Sequence, residues 1–90
     1  MRYLKSEGAW VMKVHGSPYQ RPGVPDLLVC YRGRFLGLEV KQPGKHLSKL
    51  QAHEIDAIHE AGGMAERVES VEDVETIIGG INESADRHQA

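Results

Sequence analysis

Residues 23–41 read Gly23-Val24-Pro25-Asp26-Leu27-Leu28-Val29-Cys30-Tyr31-Arg32-Gly33-Arg34-Phe35-Leu36-Gly37-Leu38-Glu39-Val40-Lys41. Two β-prone runs, DLLVCY and RFLGLEVK, flank the pair Arg32-Gly33, and a two-residue break containing glycine predicts an antiparallel hairpin. With a turn of that length Tyr31 faces Arg34, and the same register carried outward sets Asp26 opposite Glu39. Side-chain period two places Glu39 and Lys41 on one face of the second strand and Leu36, Leu38 and Val40 on the other. Opposed carboxylates on neighbouring strands lie about 5 Å apart and repel, so this pairing calls for a cation between them or a different register.

Outward from the hairpin the pattern changes twice. Upstream, Trp10–Val14 (WVMKV) reads as a strand, followed by a glycine- and proline-rich loop over 16–25 with Arg21 in its middle. Downstream, Ser48 and Gln51 match a capping box and Gly62-Gly63 supplies a stop, predicting a helix from Leu47 or Ser48 to Ala61. Leu47, Leu50, Ile55, Ile58 and Ala61 share one arc of it, and Gln51 lies among them, which aims its amide at the sheet. Residues 64–69 (MAERVE) read as an edge-like strand. Ser70 and Asp73 open a second helix carrying Val71, Val74, Ile77, Ile78 and Ile81. Residues 82–90 (NESADRHQA) are expected to form a polar, frayed tail behind a single domain at 1–81.

Ninety residues with a hydrophobic content of 40% and a charged content of 27% suit one small globular domain rather than a disordered chain. The single cysteine cannot form an internal disulfide, and Cys30 is expected to be a small core residue. No stretch approaches the roughly 18 apolar residues of a membrane span, and the charged N-terminus does not read as a signal peptide. The expectation is a soluble, cytoplasmic protein with no membrane partner. Net charge is −2, but residues 1–50 carry nine basic and three acidic side chains whereas residues 51–90 carry two and ten. Either the basic half faces nucleic-acid phosphates, or the two halves mix in three dimensions.

Asp26, Glu39, Lys41 and Gln51 form the set that could carry chemistry. Two carboxylates and a neighbouring backbone carbonyl are hard oxygen ligands suited to Mg²⁺ or Mn²⁺, and an ammonium beside them could stabilise charge developing on phosphorus. The bland alternative is a hairpin whose polar face meets solvent. Zinc is disfavoured because His53 and His59 are six residues apart, off the i, i+4 spacing. The stretch Gly44-Lys45-His46-Leu47-Ser48 lacks the glycine spacing of a phosphate-binding P-loop, so no nucleotide cofactor is expected. Lys45, His46 and Lys49 cluster at the start of the first long helix, where a phosphate contact and plain solvation both fit. Aromatic residues are few, and no stacking platform or recognition helix is evident.

Gly23-Val24-Pro25-Asp26, a twelve-residue gap and Glu39-Val40-Lys41 resemble the PD-(D/E)xK nuclease signature. Gln51 in the next helix and Ser-Val-Glu-Asp-Val at 70–74 make the chain similar to the virus-type replication-repair nuclease (VRR-NUC) branch, over about Tyr3 to Ile78. The resemblance implies an α/β fold, a restriction-endonuclease-like mixed β-sheet flanked by helices. It also implies a divalent-metal-dependent endonuclease acting on branched or four-way-junction DNA, like small stand-alone members found in phages and bacteria. Asp26, Glu39 and the Val40 carbonyl would hold the metal, Lys41 would be catalytic, and Gln51 would position Lys41 or the attacking water. Many members add an acidic residue from a longer N-terminal helix, for which Glu7 is the candidate here. Arg21, Lys45, His46 and Lys49 would bind DNA. A chain this short has a thin core, the second helix looks richer in apolar residues than one sheet face needs, and a symmetric junction needs two cuts, so a homodimer is expected. The alternatives are a catalytically inactive nucleic-acid-binding module of the same fold and a plain protein-interaction domain.

Overall fold

The Arg32-Gly33 break turns the chain as expected. Arg32 and Gly33 both take positive φ, 50° and 78°, the mirror-image geometry that joins twisted strands without splaying them. The turn links strands β2 (Leu27–Tyr31) and β3 (Arg34–Val40), which pair antiparallel from Tyr31–Arg34 to Leu27–Leu38. The computed structural model describes residues 1–14 and 21–89, with side chains to Arg87. The part of the expected 16–25 loop at 16–20 lies outside the described residues.

Around the hairpin stand helix α1 (Arg2–Ser6), strand β1 (Trp10–Lys13), helix α2 (Lys49–Glu60), strand β4 (Met64–Val68) and helix α3 (Val71–Gln89). The sheet order is β1-β2-β3-β4, with β1 antiparallel to β2 and β4 parallel to β3. The parallel pairing follows from the α2 crossover that separates β3 from β4.

The sheet has two unlike faces. Leu27, Val29, Tyr31, Leu36, Leu38 and Val68 point to one side and bury against Leu4 of α1 and against Val74, Ile78 and Ile81 of α3. That placement takes up much of the apolar surplus expected on α3 as a dimer surface: Val74, Ile78 and Ile81 are at most 3% exposed inside the chain's own core, while Ile77 is half-buried and Val71 exposed. Nor does α3 stop at Ile81. It runs through Gln89, against the expectation of a frayed tail, because Asn82 Oδ1 accepts hydrogen bonds from the Tyr31 hydroxyl and the Arg32 guanidinium, both at 2.9 Å, anchoring the next turn to the hairpin.

On the other face α2 packs over β3 and β4, burying Ile55, and among the described residues no helix covers β1 and the outer side of β2. Two expectations fail for that reason. Cys30 points to this face but lies beyond the reach of α2, so it is exposed rather than part of the core. Leu50, on the expected apolar arc, sits in the first turn of α2 and is 53% exposed.

Candidate active site

Asp26 immediately precedes β2 and is held from both sides. Its carbonyl accepts from the Val14 amide at 2.7 Å, and its carboxylate Oδ2 accepts from the Val40 amide at 2.9 Å. The regular ladder ends one pair earlier, so Asp26 meets β3 through its side chain. Two close approaches fix the segment leading to it. Pro25 is buried against Gly37, where an added Cβ would come within 2.9 Å of the proline ring. Gly23, at φ +91°, presses on the first turn of α2 so closely that a Cβ would lie 2.5 Å from the Leu50 carbonyl oxygen. Only glycine meets both demands at position 23. The motif alone does not reveal that these residues dock the Asp26 loop onto α2.

Glu39 shares the α2 face and is 3% exposed. Its Oε1 accepts a 2.8 Å hydrogen bond from Gln51 Nε2, while its Oε2 is buried without a hydrogen-bond partner. Burial, and next the Asp26 carboxylate, push the Glu39 acid up to about 7, with the Lys41 ammonium pulling the other way. Gln51 owes its aim to the capping box: Ser48 Oγ accepts from the Gln51 amide at 3.1 Å, and Gln51 Oε1 accepts from the Ser48 amide at 2.9 Å, which leaves the Nε2 group for Glu39. Its partner is thus Glu39 rather than Lys41. The Lys41 amide donates to the Val68 carbonyl at 2.9 Å, so β4 sets where that residue leaves β3; among the described residues its ammonium makes no ion pair.

The donor set fits a small dication. Two adjacent carboxylates, one with a buried oxygen lacking any partner, present hard oxygen ligands together with the Val40 peptide beside them. Glu7 is not brought to this pair. It closes α1, which packs on the opposite sheet face, and its carboxylate lies beside the Tyr3 hydroxyl, whose pKa burial and Glu7 together raise. Among the described residues, no three acidic, histidine or cysteine side chains gather at one point.

Lys45 and His46 line a concavity of about 470 Å³ with Gly44, Leu47 and Arg67, and Lys49 is exposed in the first turn of α2. Arg21 is already engaged: its guanidinium meets Glu54 Oε2 at 2.8 Å, a second tie between the Asp26 loop and α2. Arg67 went unremarked in the sequence. It stands opposite Glu39 in the β3–β4 register, yet its guanidinium turns away to donate to the carbonyls of Lys45 (2.6 Å) and Gln42 (3.2 Å), bracing the basic loop. Only the parallel register of β4 would have exposed that role.

No protein-family model matches the chain, and no curated protein matches it. A solved structure described as a VRR_NUC domain is similar to it with a TM-score of 0.72 and 29% sequence identity, covering 87% of this chain and 84% of that one. A four-stranded mixed sheet, helices on both faces and an acidic pair at the end of the central hairpin make this a PD-(D/E)xK nuclease-type fold. Within that class the likeness supports a VRR-NUC domain.

Proposed function

We propose that the protein is a divalent-metal-dependent endodeoxyribonuclease that hydrolyses phosphodiester bonds in branched or four-way-junction DNA. The Glu39 carboxylate carries the reading: buried, tied to Gln51 through one oxygen, unpartnered at the other and set against Asp26. Such an arrangement is unfavourable in the metal-free fold, and both the repulsion and the unmet oxygen are relieved if a dication lies between the carboxylates. Asp26, Glu39 and the Val40 carbonyl would hold it, and their hard oxygens suit Mg²⁺ or Mn²⁺. When bound, such an ion polarises a phosphate and acidifies a water.

The chain's own residues supply the remainder. Gln51 keeps Glu39 in one rotamer, with Oε2 free to act. Lys41, close enough to act on the Glu39 charge, stabilises negative charge growing on the scissile phosphate. Lys45, His46 and Lys49 bind the flanking backbone, and Arg21 contributes once released from Glu54. Two copies would deliver the paired cuts that a symmetric junction needs.

The test is incubation with labelled four-way junction, flap and linear duplex in Mg²⁺ or Mn²⁺, with and without chelator. Chelator-sensitive cleavage strongest on the branched substrates is expected. Binding without cleavage in either metal would instead identify an inactive module of the same fold.

A further inference from the structure

The uncovered half of the α2 face holds an arrangement that the linear sequence hides. Trp10 pairs with Cys30 and Cys30 with Phe35, so the three side chains form one row across β1, β2 and β3. Met12, Leu28 and Gly37 form the next row. Gly37 lies beneath Pro25 and Ile58 of α2, which fixes both rows to the α2 side of the sheet. Trp10 is 58% exposed, Phe35 44% and Met12 43%, and Cys30 is exposed as well. Two aromatic faces thus stand in the open about 10 Å apart, at roughly 4.8 Å per strand.

On β3 this row is separated from Glu39 by Gly37 under Pro25 and Ile58, and along β2 it runs toward Asp26 through the half-buried Leu28. Asp26 and Glu39 lie on the same face, four residues along β2 and β3 from Cys30 and Phe35, or about 13 Å at the rise of a strand. The α3 helix carries Glu72, Asp73, Glu75, Glu83 and Asp86 against Arg87, while α1 on the same side adds Arg2 and Lys5, and α2 carries Glu54, Asp56 and Glu60 against Lys49. The cations Lys41, Lys45 and Lys49 gather near the acidic pair, and it is to that end of the α2 side that a polyanion is drawn.

Resting on the nuclease reading, we infer that the Trp10–Phe35 row is a stacking platform for unpaired bases of a DNA strand leaving the active site. Aromatic side chains beside a cationic track are how single strands are held without sequence preference, because every base has a stacking face. Paired bases keep their faces inside the duplex and cannot use the row. The platform therefore selects substrates with unpaired nucleotides next to the scissile bond, such as flaps and junctions whose pairs open at the crossover.

Trp10 is the chain's one tryptophan, so its emission reports on this row. The protein is titrated in EDTA with end-labelled oligothymidylate and with blunt duplex of equal length, following Trp10 emission and label anisotropy together. Oligothymidylate is expected to quench Trp10 as it binds, whereas duplex binds without quenching. Phe35→Ala, and Phe35→Leu in case the smaller residue disturbs the sheet, should weaken oligothymidylate binding by roughly tenfold, the scale of one lost base stack, with duplex binding unmoved. Oligothymidylate binding that leaves Trp10 emission unchanged overturns the platform. So does a concentration-dependent blue shift of Trp10 without DNA, which would mean that a second copy covers the row. Cleavage of flap and four-way-junction DNA in Mn²⁺ separates the two readings: cleavage without quenching by oligothymidylate removes the platform alone, and quenching without cleavage of either branched substrate removes the nuclease alone.

Discussion

Replacing Glu39 by Gln should stabilise the metal-free protein at pH 8 while abolishing its proposed activity. The fold raises the Glu39 acid from 4.5 to about 7, first through burial and then through Asp26. Below pH 4.5 the carboxyl is neutral in both folded and unfolded chains and contributes no penalty. As pH rises toward 7 the unfolded chain releases the proton while the folded chain keeps it, so stability falls through this window and stays lower above it. At about 1.4 kcal/mol per pKa unit, the rise amounts to about 3 kcal/mol against the folded state at pH 8. Glutamine keeps an acceptor for Gln51 Nε2, carries no charge and can turn its amide toward Asp26, so the variant should recover most of that. For a chain of this size the gain corresponds to a Tm difference of about 10 °C or more. Thermal and urea unfolding of both proteins in EDTA, from pH 4 to 8, measures it. The gap should open from near zero at pH 4 to its full size at pH 8, and Mn²⁺ should narrow it by stabilising the wild type alone. A gap independent of pH, or a variant less stable than wild type at pH 8, would refute the placement of a charged, half-satisfied carboxylate in the fold.

Three further outcomes follow from single contacts. Lys41→Ala should leave the Tm and Mn²⁺ affinity near wild type and lower turnover by about 10²–10³, the scale for removing one charge-stabilising group; cleavage near the wild-type rate would make Lys41 a surface residue. Gly23→Ala should cost at least 1–2 kcal/mol in urea unfolding, from backbone strain at positive φ and from the clash with the Leu50 carbonyl, and should lower cleavage with it. Replacing Lys45 and Lys49 together by Ala should reduce the log–log salt slope of DNA binding by up to about two units; an unchanged slope would place the phosphate track elsewhere.

The hairpin was legible because its signals are local: a two-residue turn fixes register, and register fixes which side chains share a face. Ser48 and Gln51 announced the start of α2 for the same reason, and Gln51 among apolar neighbours announced a sheet-facing amide. What stayed hidden depends on how elements sit on one another. No periodicity shows that α2 is shifted over β3 and β4, which is why Cys30 and Leu50 read as core and the Trp10–Phe35 row went unseen. Arg67 became meaningful only through the parallel register of β4, and the anchoring of α3 at Asn82 only through contacts with Tyr31 and Arg32 across the core. Asp26 and Glu39 could be paired from sequence parity, but Gln51 as the partner of Glu39 required the helix to be in place.

The most direct measurement is calorimetric titration of Mn²⁺ into the wild-type protein, Asp26→Ala and Glu39→Ala at pH 8, with folding of each variant verified by circular dichroism. Wild type should bind the ion between the two carboxylates, and each variant should lose most of that affinity. Affinity unchanged in both folded variants would mean that the paired carboxylates hold no metal.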